Sequence, residues 1–269
     1  MTEFAGKSIL VTGGGSGIGL GIASALADAG ATVTIVGRTK TTLDAAAESR
    51  PLRTFAADVT DEDSVVDAVA CATSATGRLD GVVACAGGNE TIGPVTQIDV
   101  AAWRRTVELN VTGTMLTLKH SARELVRGGG GSFVAISSIA SSNTHRWFGA
   151  YGVSKSGVDH LVQLAADELG ASNVRVNGIR PGLTRTDLVA LITDGGPILD
   201  DYMQCTPLGR VGEVEDIAGL ALFLLGADSS WITGQVINVD GGQNLRRGPD
   251  YTSMLEQVFG ADGLRGVTT

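Results

Sequence analysis

Tyr151 and Lys155 are the residues of this sequence whose types and spacing best fit a chemical role. They lie in an apolar pattern of helical period, and residues four apart on a helix share one face, with Cβ atoms about 5–6 Å apart. A phenol titrates near ~10 in water, so proton transfer at neutral pH requires its pKa to fall by roughly 3 units, which is about 4 kcal/mol. One positive charge at about 4 Å supplies about 4 kcal/mol at an effective dielectric constant of ~20. The pair is therefore predicted to relay a proton, as carbonyl–alcohol interconversion requires.

Such a pair also arises by chance in many helices, so the elements around it decide between catalysis and coincidence. Short apolar runs predict strands at 7–11, 32–36, 53–56, 81–84, 132–136, 174–179 and 235–239. Helical patterns lie between them, including one over 99–126 with a break near Asn110, one over 149–169 that carries the pair, and pieces within 186–204 and 213–226. This alternation predicts an α/β fold, a doubly wound parallel sheet (Rossmann fold) of about seven strands with helices on both faces.

Composition narrows the class of protein. The 269 residues, 43% of them hydrophobic, suit one large α/β domain, although two small ones are possible on length alone. A formal charge of −9 argues against nucleic acid or an anionic membrane as partner. The three cysteines form neither a metal nor a disulfide pattern, which fits a reducing, cytoplasmic compartment. We expect no signal peptide at Met1–Phe4, no membrane span, no metal, and a small-molecule substrate.

A glycine-rich turn follows the first strand and precedes the first helix. Gly13, Gly17 and Gly19 have the spacing G-x-x-x-G-x-G rather than the strict G-x-G-x-x-G. Missing side chains allow the backbone to turn sharply and approach a pyrophosphate, and the helix that follows offers free N–H groups. A tight turn without a ligand is the alternative, and the position between strand and helix favours the nucleotide site.

At this point the sequence resembles the short-chain dehydrogenase/reductase family over roughly residues 5–243. The resemblance rests on motifs in the family's order: the turn at 12–19, Asp58-Val59, Ala86-Gly87, Asn110, Ser138, Tyr151 with Lys155, Pro181-Gly182, and Asp240-Gly241-Gly242. It implies a single Rossmann-type catalytic domain in residues 1–243, a C-terminal extension in 244–269, and a homotetramer or homodimer built on the helices at 99–126 and 149–169 and the last strand.

The resemblance also implies a role for each catalytic residue. Ser138 would hydrogen-bond the substrate oxygen, and Tyr151 would give or take the proton. Lys155 would lower the pKa of Tyr151 and bind the nicotinamide ribose, while Asn110 would hold a water that links Lys155 to solvent.

Arg38 determines the expected cofactor. An acid after the second strand binds the ribose 2′-OH, whereas an arginine accommodates a 2′-phosphate, which favours NADP(H) over NAD(H). A solvated Arg38 with NAD(H) is the alternative, because Ser16 occupies the turn position where some NADP users have a second basic residue. Asp58 would meet the adenine amine. The full set of expected cofactor contacts is Gly13, Gly15, Ser16, Gly17, Ile18, Gly19, Arg38, Asp58, Val59, Ala86, Gly87, Tyr151, Lys155, Pro181, Gly182, Thr184 and Thr186, the two threonines lying at the nicotinamide amide.

Three segments depart from the family pattern or vary within it. Cys85 replaces the usual Asn before Ala-Gly, so we expect some loss of rigidity there, and a reactive thiol is the less favoured interpretation. Residues 145–148 should border the substrate pocket, with Arg146 meeting a polar or anionic end or else lying in an exposed loop. The extension is expected to pack on a neighbouring subunit or rim its pocket, with a capping box from Ser253 and Glu256 and a helix end at Gly260, or else to be a frayed terminus.

These observations predict an oxidoreductase that transfers hydride between NADP(H) and a ketone or secondary alcohol, with Tyr151 as the acid and base. An enoyl reductase or isomerase of the same fold is one alternative. A non-catalytic nucleotide-binding regulator is the other, and the presence of Ser138, Tyr151 and Lys155 counts against it. The apolar segment at 183–209 slightly favours an apolar substrate.

Overall fold

The structure, a computed structural model, describes residues 4–267. Residues 1–3, on which the prediction about the N-terminus partly rests, and residues 268–269, the end of the predicted extension, lie outside the described residues.

The centre of the molecule is a seven-stranded sheet with the order β3-β2-β1-β4-β5-β6-β7. Its strands are β1 (Ser8–Thr12), β2 (Thr32–Gly37), β3 (Arg53–Ala56), β4 (Gly81–Ala84), β5 (Gly131–Ile136), β6 (Val174–Pro181) and β7 (Val236–Val239). Every neighbouring pair is parallel. The central strands read as continuous apolar runs because helices cover both faces of the sheet. The predicted doubly wound α/β fold is confirmed.

Ten α-helices surround this sheet within residues 4–267. They are α1 (Gly17–Asp28), α2 (Lys40–Ala47), α3 (Glu62–Ser74), α4 (Val100–Val107), α5 (Gly113–Arg127), α6 (Ala150–Leu169), α7 (Ala190–Thr193), α8 (Pro197–Cys205), α9 (Val214–Leu225) and α10 (Thr252–Leu264). One apolar core joins α3, α5 and α6 to the sheet, and a second joins α1, α2 and α9 to the opposite face. The amphipathic faces of both helix layers are thus buried, and the sheet is a rigid frame for the loops at its edges.

The predicted break near Asn110 is confirmed as a π-helical turn, Glu108–Thr112, between α4 and α5. Asn110 is fully buried there, and its carbonyl oxygen accepts a 2.7 Å hydrogen bond from Thr114 Oγ1. A π turn inserts one residue into the helical register and often marks a functional position. Here it turns the Asn110 side chain away from the helix ladder and toward α6.

The C-terminal segment differs from its prediction in two ways. The capping box expected from Ser253 and Glu256 is wrong, since α10 begins at Thr252 and the carboxylate of Asp250 accepts from its N–H and hydroxyl at 2.9 and 2.6 Å. Gly260 has φ +67° and kinks α10 without ending it. The segment also packs within its own chain, where Tyr251 is 1% exposed.

Between residues 4 and 267, none of the helices combines the length and apolarity needed to cross a membrane.

Candidate active site

The candidate site lies at the carboxyl edge of the sheet, where the loops after β1, β4, β5 and β6 meet. The chain order reverses between β1 and β4, which are neighbours in the sheet. Ligands of open α/β sheets bind in the crevice at such a switch point. Gly13, Ala86, Ser138 and Gly182 all lie in loops at this edge, just past the strands.

The glycine turn after β1 needs glycine for steric reasons. Gly13 has φ +66°, and a Cβ there would lie 2.8 Å from the amide nitrogen of Ala86. A Cβ on Gly19 would lie 2.2 Å from the carbonyl oxygen of Gly13, and Gly17 also has a positive φ of +51°. These contacts bring the turn against the end of β4, so that backbone alone lines this part of the crevice.

The start of α1 fits the pyrophosphate of a dinucleotide. Its N-cap, Ser16, makes no side-chain capping bond, and the first turn contains no acidic residue. The first N–H groups of a helix have no partner within the helix, and the helix dipole places partial positive charge there. Gly17, Ile18 and Gly19 therefore offer backbone donors that no side chain caps, as an anion site requires.

Gly87 joins the nucleotide crevice to the catalytic residues. A Cβ on Gly87 would lie 2.9 Å from Asn110 Oδ1 and 3.1 Å from Lys155 Nζ. The absence of a side chain at this position therefore keeps the crevice open beside the ammonium group. Ala86 lies against Gly13 of the glycine turn, and Gly87 lies beside Lys155.

Asn110 uses both hydrogens of its side-chain amide in the fold. Its Nδ2 donates to the carbonyl oxygen of Gly88 at 2.8 Å and to Ser154 Oγ at 2.9 Å, while its Oδ1 accepts from the N–H of Gly88 at 2.9 Å. Ser154 was not indicated by the sequence, and its hydroxyl donates in turn to the carbonyl oxygen of Tyr151 at 2.7 Å. Both amide hydrogens of Asn110 are therefore already used. The Asn110 side chain could only accept a hydrogen bond from a water that links Lys155 to solvent.

Lys155 is 4% exposed, and its Nζ donates to the carbonyl oxygen of Ile136 at 2.8 Å. The Nζ lies 5.8 Å from the centroid of the Tyr151 ring. Burial lowers the pKa of Lys155 to about 8, and the nearby Cys85 and Asp159 act against this fall. Removal from water disfavours the charged form of any group, and here that effect exceeds the attraction to neighbouring acids.

The expected fall in the pKa of Tyr151 does not occur in this structure. Burial raises the pKa of Tyr151, and the hydroxyl of Ser138 opposes the rise only in part. With a pKa of about 8, Lys155 stays mostly protonated at neutral pH, yet burial of the phenol still raises the pKa of Tyr151. The fall that the sequence predicted for the pKa of Tyr151 is therefore corrected: its own burial raises it.

Ser138 follows β5 and is 9% exposed. Its Oγ accepts a 3.1 Å hydrogen bond from the N–H of Ala140. This bond orients the hydroxyl and leaves its hydrogen free to donate. A hydrogen bond from Ser138 acts to lower the pKa of Tyr151, so these two hydroxyl groups lie close together.

Thr12, at the end of β1, holds the backbone at Cys85 in place. Its Oγ1 accepts from the N–H groups of Cys85 and Ala86 at 3.2 and 3.3 Å. Burial raises the pKa of the Cys85 thiol to about 11, against an opposing effect of Lys155. The thiolate is therefore scarce at neutral pH, which disfavours the reactive-thiol interpretation.

Arg38 and Asp58, which the sequence assigned to the adenosine end of the cofactor, lie just past β2 and β3. Arg38 follows β2, is exposed, and has no salt-bridge partner within the described part of the chain. Thr60 holds the pKa of Asp58 below its ordinary value through hydrogen bonds from its N–H and hydroxyl to Asp58 Oδ1 at 3.0 and 2.8 Å, and the charge of Arg38 adds to this. Val59 is buried at 6% exposure, under the π turn.

The loop after β6 contains Thr184 and Thr186, which the sequence assigned to the nicotinamide amide. A Cβ on Gly182 would lie 2.8 Å from Asp240 Cα, and Thr184 Oγ1 donates to the carbonyl oxygen of Gly182 at 3.1 Å. The methyl group of Thr186 lies 3.2 Å from where a Cβ on Gly17 would be. The loop thus reaches back to the glycine turn, with Pro181 at its base and buried.

An aromatic cluster packs against Tyr151. Phe148 lies edge-on to Tyr151, with ring centroids 6.0 Å apart, and 5.1 Å from the ring of Tyr251. Tyr202 completes the cluster, and neither Tyr202 nor Tyr251 was indicated by the sequence. The available signal for this cluster was the presence of large aromatic residues in residues 183–209 and in the extension.

Of the two interpretations of Arg146, the structure agrees with the exposed loop. Its Nη1 binds Asp250 Oδ2 at 2.9 Å, and its guanidinium lies 4.8 Å from the centre of the Trp147 ring. Both charged groups are half-exposed, so Arg146 ties the 145–148 loop to the extension at the surface. Trp147 has φ +73°, and its indole N–H is buried without a hydrogen-bond partner among the residues described.

Within residues 4–267, no group of three or more His, Cys, Asp or Glu side chains is arranged to hold a metal ion.

Comparison with known proteins identifies relatives along nearly the whole chain. A family model described as enoyl-(acyl carrier protein) reductase matches residues 13–244. The cis-4-hydroxycyclohexanecarboxylate dehydrogenase of Sinomonas cyclohexanicum is 37% identical over 185 residues, 69% of this chain and 74% of the relative. The 7alpha-hydroxysteroid dehydrogenase of Escherichia coli is 38% identical over 187 residues, which are 69% of this chain and 71% of the relative. The 2,5-dichloro-2,5-cyclohexadiene-1,4-diol dehydrogenase of Sphingobium indicum is 32% identical over 246 residues, which are 90% of this chain and 98% of the relative.

Solved structures agree with these relatives. A short-chain type dehydrogenase/reductase from Mycobacterium ulcerans superimposes with a TM-score of 0.97 at 62% identity, covering 99% of this chain and 100% of that one. A 7 alpha-hydroxysteroid dehydrogenase complexed with NADH and 7-oxo glycochenodeoxycholic acid has a TM-score of 0.84 at 33% identity, covering 90% and 95%.

Proposed function

The chain belongs to the short-chain dehydrogenase/reductase family and is an oxidoreductase, and we propose that it interconverts a ring-borne secondary alcohol and its ketone with NADP(H), using Tyr151 as acid and base. The observation that carries this proposal is the arrangement around Gly87. The position of its missing Cβ is 3.1 Å from Lys155 Nζ, and the Tyr151–Ser138 pair and the glycine turn lie on either side.

The protein's residues contribute binding, orientation and proton transfer. NADP(H), when bound, supplies or accepts the hydride. Ser138 donates its free hydroxyl hydrogen to the substrate oxygen. Tyr151 donates the proton to that oxygen during ketone reduction and removes it during alcohol oxidation. Lys155, which is fixed by Ile136, hydrogen-bonds the nicotinamide ribose, and Asn110 holds the loop after β4 in place.

Arg38 supports the choice of NADP(H). It is an exposed cation at the end of β2 with no salt-bridge partner between residues 4 and 267, and no acid occupies that position. A guanidinium binds phosphate oxygens in a two-pronged geometry, whereas an acid there would repel a 2′-phosphate. The related hydroxysteroid dehydrogenase structure contains NADH, so the two nucleotides must be compared directly.

The relatives support a cyclic substrate. A hydroxycyclohexanecarboxylate, a cyclohexadienediol and a hydroxysteroid all carry the reacting hydroxyl on a six-membered ring. The wall of this site is correspondingly aromatic, with Phe148 against Tyr151. A flat or chair-shaped apolar ring buries its surface well against such side chains.

The test is a screen of ring alcohols and ketones with NADPH, NADH and their oxidised forms, followed by absorbance at the nicotinamide band. Wild-type enzyme should turn over ring alcohols or ketones, and Tyr151→Phe should lose at least about a hundredfold in kcat. NADPH should bind the variant as it binds wild type, which separates lost chemistry from lost folding. An unchanged rate in Tyr151→Phe would overturn the assignment of the acid and base.

Enoyl reduction is the second candidate, because the description of the matching family model favours it. Its substrates are conjugated thioesters, so crotonyl thioesters belong in the same screen. Turnover of these in preference to every ring ketone would replace the first proposal.

The proposal extends to organisation. We place the catalytic domain in residues 1–243, the extension in 244–269, the assembly as a homotetramer or homodimer, and the protein in the cytoplasm. An apolar groove on the outer faces of α5 and α6, lined by Met115, Leu118 and Val126, supports self-association. Light scattering during gel filtration and cell fractionation test these points.

A further inference from the structure

Two tyrosines from distant segments share a hydrogen bond above the catalytic side of the site. The hydroxyl oxygens of Tyr202, in α8, and Tyr251, at the start of α10, lie 3.0 Å apart. Their rings meet edge-on at 6.4 Å and 89°, and the residues are 4% and 1% exposed. Tyr251 lies beyond the last residue of the family match, 244, so the extension supplies one of the pair.

The pair lies one aromatic ring away from Tyr151. Phe148 contacts Tyr151 and Tyr251. Its ring centroid lies 6.0 Å from that of Tyr151 and 5.1 Å from that of Tyr251. Burial is the main cause that raises the pKa of Tyr202, and Tyr251 and Tyr151 add smaller effects. The phenols of Tyr151 and Tyr202 therefore lie within electrostatic range of each other. The ring of Phe148 thus lies next to both Tyr151 and Tyr251.

A count of hydrogens leaves one donor unused. Each phenol has one hydrogen to donate, and only one of the two is needed for the bond between them. Within residues 4–267 no further acceptor lies within hydrogen-bond distance of either hydroxyl, including the ring of His145, which lies 6.3 Å from that of Tyr202. Burial keeps water away, so the second hydrogen has no partner, which is an unfavourable state for a buried donor.

The charges nearby favour a neutral ligand for this donor. The nearest arginines, Arg247 and Arg146, are half-exposed and paired with Asp201 and Asp250. A carboxylate placed against the two phenols would be buried without a cation, which is strongly unfavourable. A hydroxyl or carbonyl oxygen accepts the same hydrogen without that penalty.

We propose that the Tyr202–Tyr251 hydroxyl pair is a substrate-binding subsite that donates one hydrogen bond to a second, neutral oxygen of the substrate, across one ring from the reacting carbon. The inference rests on the proposed function, because it requires a ring alcohol or ketone bound at Tyr151. For a substrate to reach the pair, α8 and the start of α10 must separate. The contacts that open are those of Asp201, in α8, with Arg247 and with the N–H of Asp250, both in the segment before α10.

The test compares Tyr202→Phe, Tyr251→Phe and the double variant with wild type on cyclohexanol, cyclohexane-1,4-diol and 4-hydroxycyclohexanecarboxylate. Phenylalanine keeps the rings and removes only the hydroxyls. The double variant should lose about tenfold in kcat/KM on the diol, mainly through KM, and less than about twofold on cyclohexanol. Wild type should favour the diol over the carboxylate. Val258→Ala, on the exposed side of α10, is the matched control. It should leave kcat/KM unchanged on the diol and on cyclohexanol.

Several outcomes overturn the subsite. Equal losses on the diol and cyclohexanol would make the pair purely structural, and unchanged rates on both would exclude a substrate contact. A wild-type preference for the carboxylate would exclude the neutral ligand. If the double variant does not fold, the test uses the single variants and compares their kcat/KM on the diol with that on cyclohexanol. NADPH binding then checks that these variants are folded. Failure of wild type to use any ring alcohol or ketone would instead overturn the proposed function, and the subsite with it.

Discussion

The Nζ of Lys155 lies 5.8 Å from the ring centroid of Tyr151 while it donates a 2.8 Å hydrogen bond to the carbonyl oxygen of Ile136. The spacing of four residues brings the two side chains to one face of α6, and the end of β5 then fixes where the ammonium points. Burial shifts both groups toward their neutral forms, since it raises the pKa of Tyr151 and lowers that of Lys155 to about 8.

The raised pKa of Tyr151 predicts different pH profiles for the two directions of the reaction. Ketone reduction needs the protonated phenol, so its kcat/KM should be flat from about pH 6 to about pH 8. Alcohol oxidation needs the phenolate, so its kcat/KM should rise with pH up to about 10, the ordinary value of a phenol, and beyond it. Initial rates at subsaturating substrate measure both. An oxidation profile that levels off below pH 7 would contradict the raised pKa.

Lys155 predicts a pH dependence of stability. Its pKa is about 8 in the folded chain and 10.5 ordinarily, so between these values the unfolded chain binds more protons. The free energy of unfolding should therefore rise from pH 8 to pH 10.5 by an amount on the order of 3 kcal/mol at most from this group.

Denaturant unfolding of wild type and Lys155→Met measures this contribution. The variant lacks the titrating group, so the difference between the two proteins should grow in favour of wild type as the pH rises. A difference that is constant across this range would show that Lys155 titrates normally.

Arg38 should control nucleotide preference. Arg38→Ala should weaken NADPH binding by about tenfold to a hundredfold, the loss expected for a charge-assisted hydrogen bond, and leave NADH binding unchanged. Lys40→Ala is the matched control, because Lys40 is an exposed cation two residues away that pairs with Asp44. Fluorescence titration with each nucleotide measures the effect. Equal weakening for both nucleotides would argue against a 2′-phosphate contact.

Gly13 should be intolerant of any side chain. Gly13→Ala adds strain at φ +66° and places a Cβ 2.8 Å from the Ala86 nitrogen, so we expect a loss of about 3 kcal/mol or more in stability and no nucleotide binding. Gly77→Ala is the control, since Gly77 has φ +85° and open space around it. It should lose only about 1 kcal/mol. Similar losses in the two variants would mean that φ strain alone matters at Gly13.

Local patterns in the sequence were sufficient for the frame of the molecule. The period of apolar residues and the glycine turn predict β1 to β7 in chain order, and the predicted bounds of β3 and β4 match the structure. The four-residue spacing placed Tyr151 and Lys155 together because helix geometry is set by neighbours in the chain. The break at Asn110 was also visible, since a polar residue interrupts an apolar helical pattern.

Contacts between distant residues were decided by the tertiary structure alone. Arg146 and Asp250, 104 positions apart, form an ion pair, and Tyr202 meets Tyr251 across 49 positions. Neither the type nor the spacing of these residues indicates the pairing, because it depends on how the extension folds back over the sheet edge.

The direction of the pKa shifts has the same origin. The sequence supplies the charge of Lys155, which by itself would lower the pKa of a neighbouring phenol. Only the packed structure supplies the burial, which sums over every atom that excludes water from Tyr151 and raises its pKa despite the opposing hydrogen bond of Ser138. The sequence thus determined which groups meet on α6, and the fold determined which of their forms is the stable one.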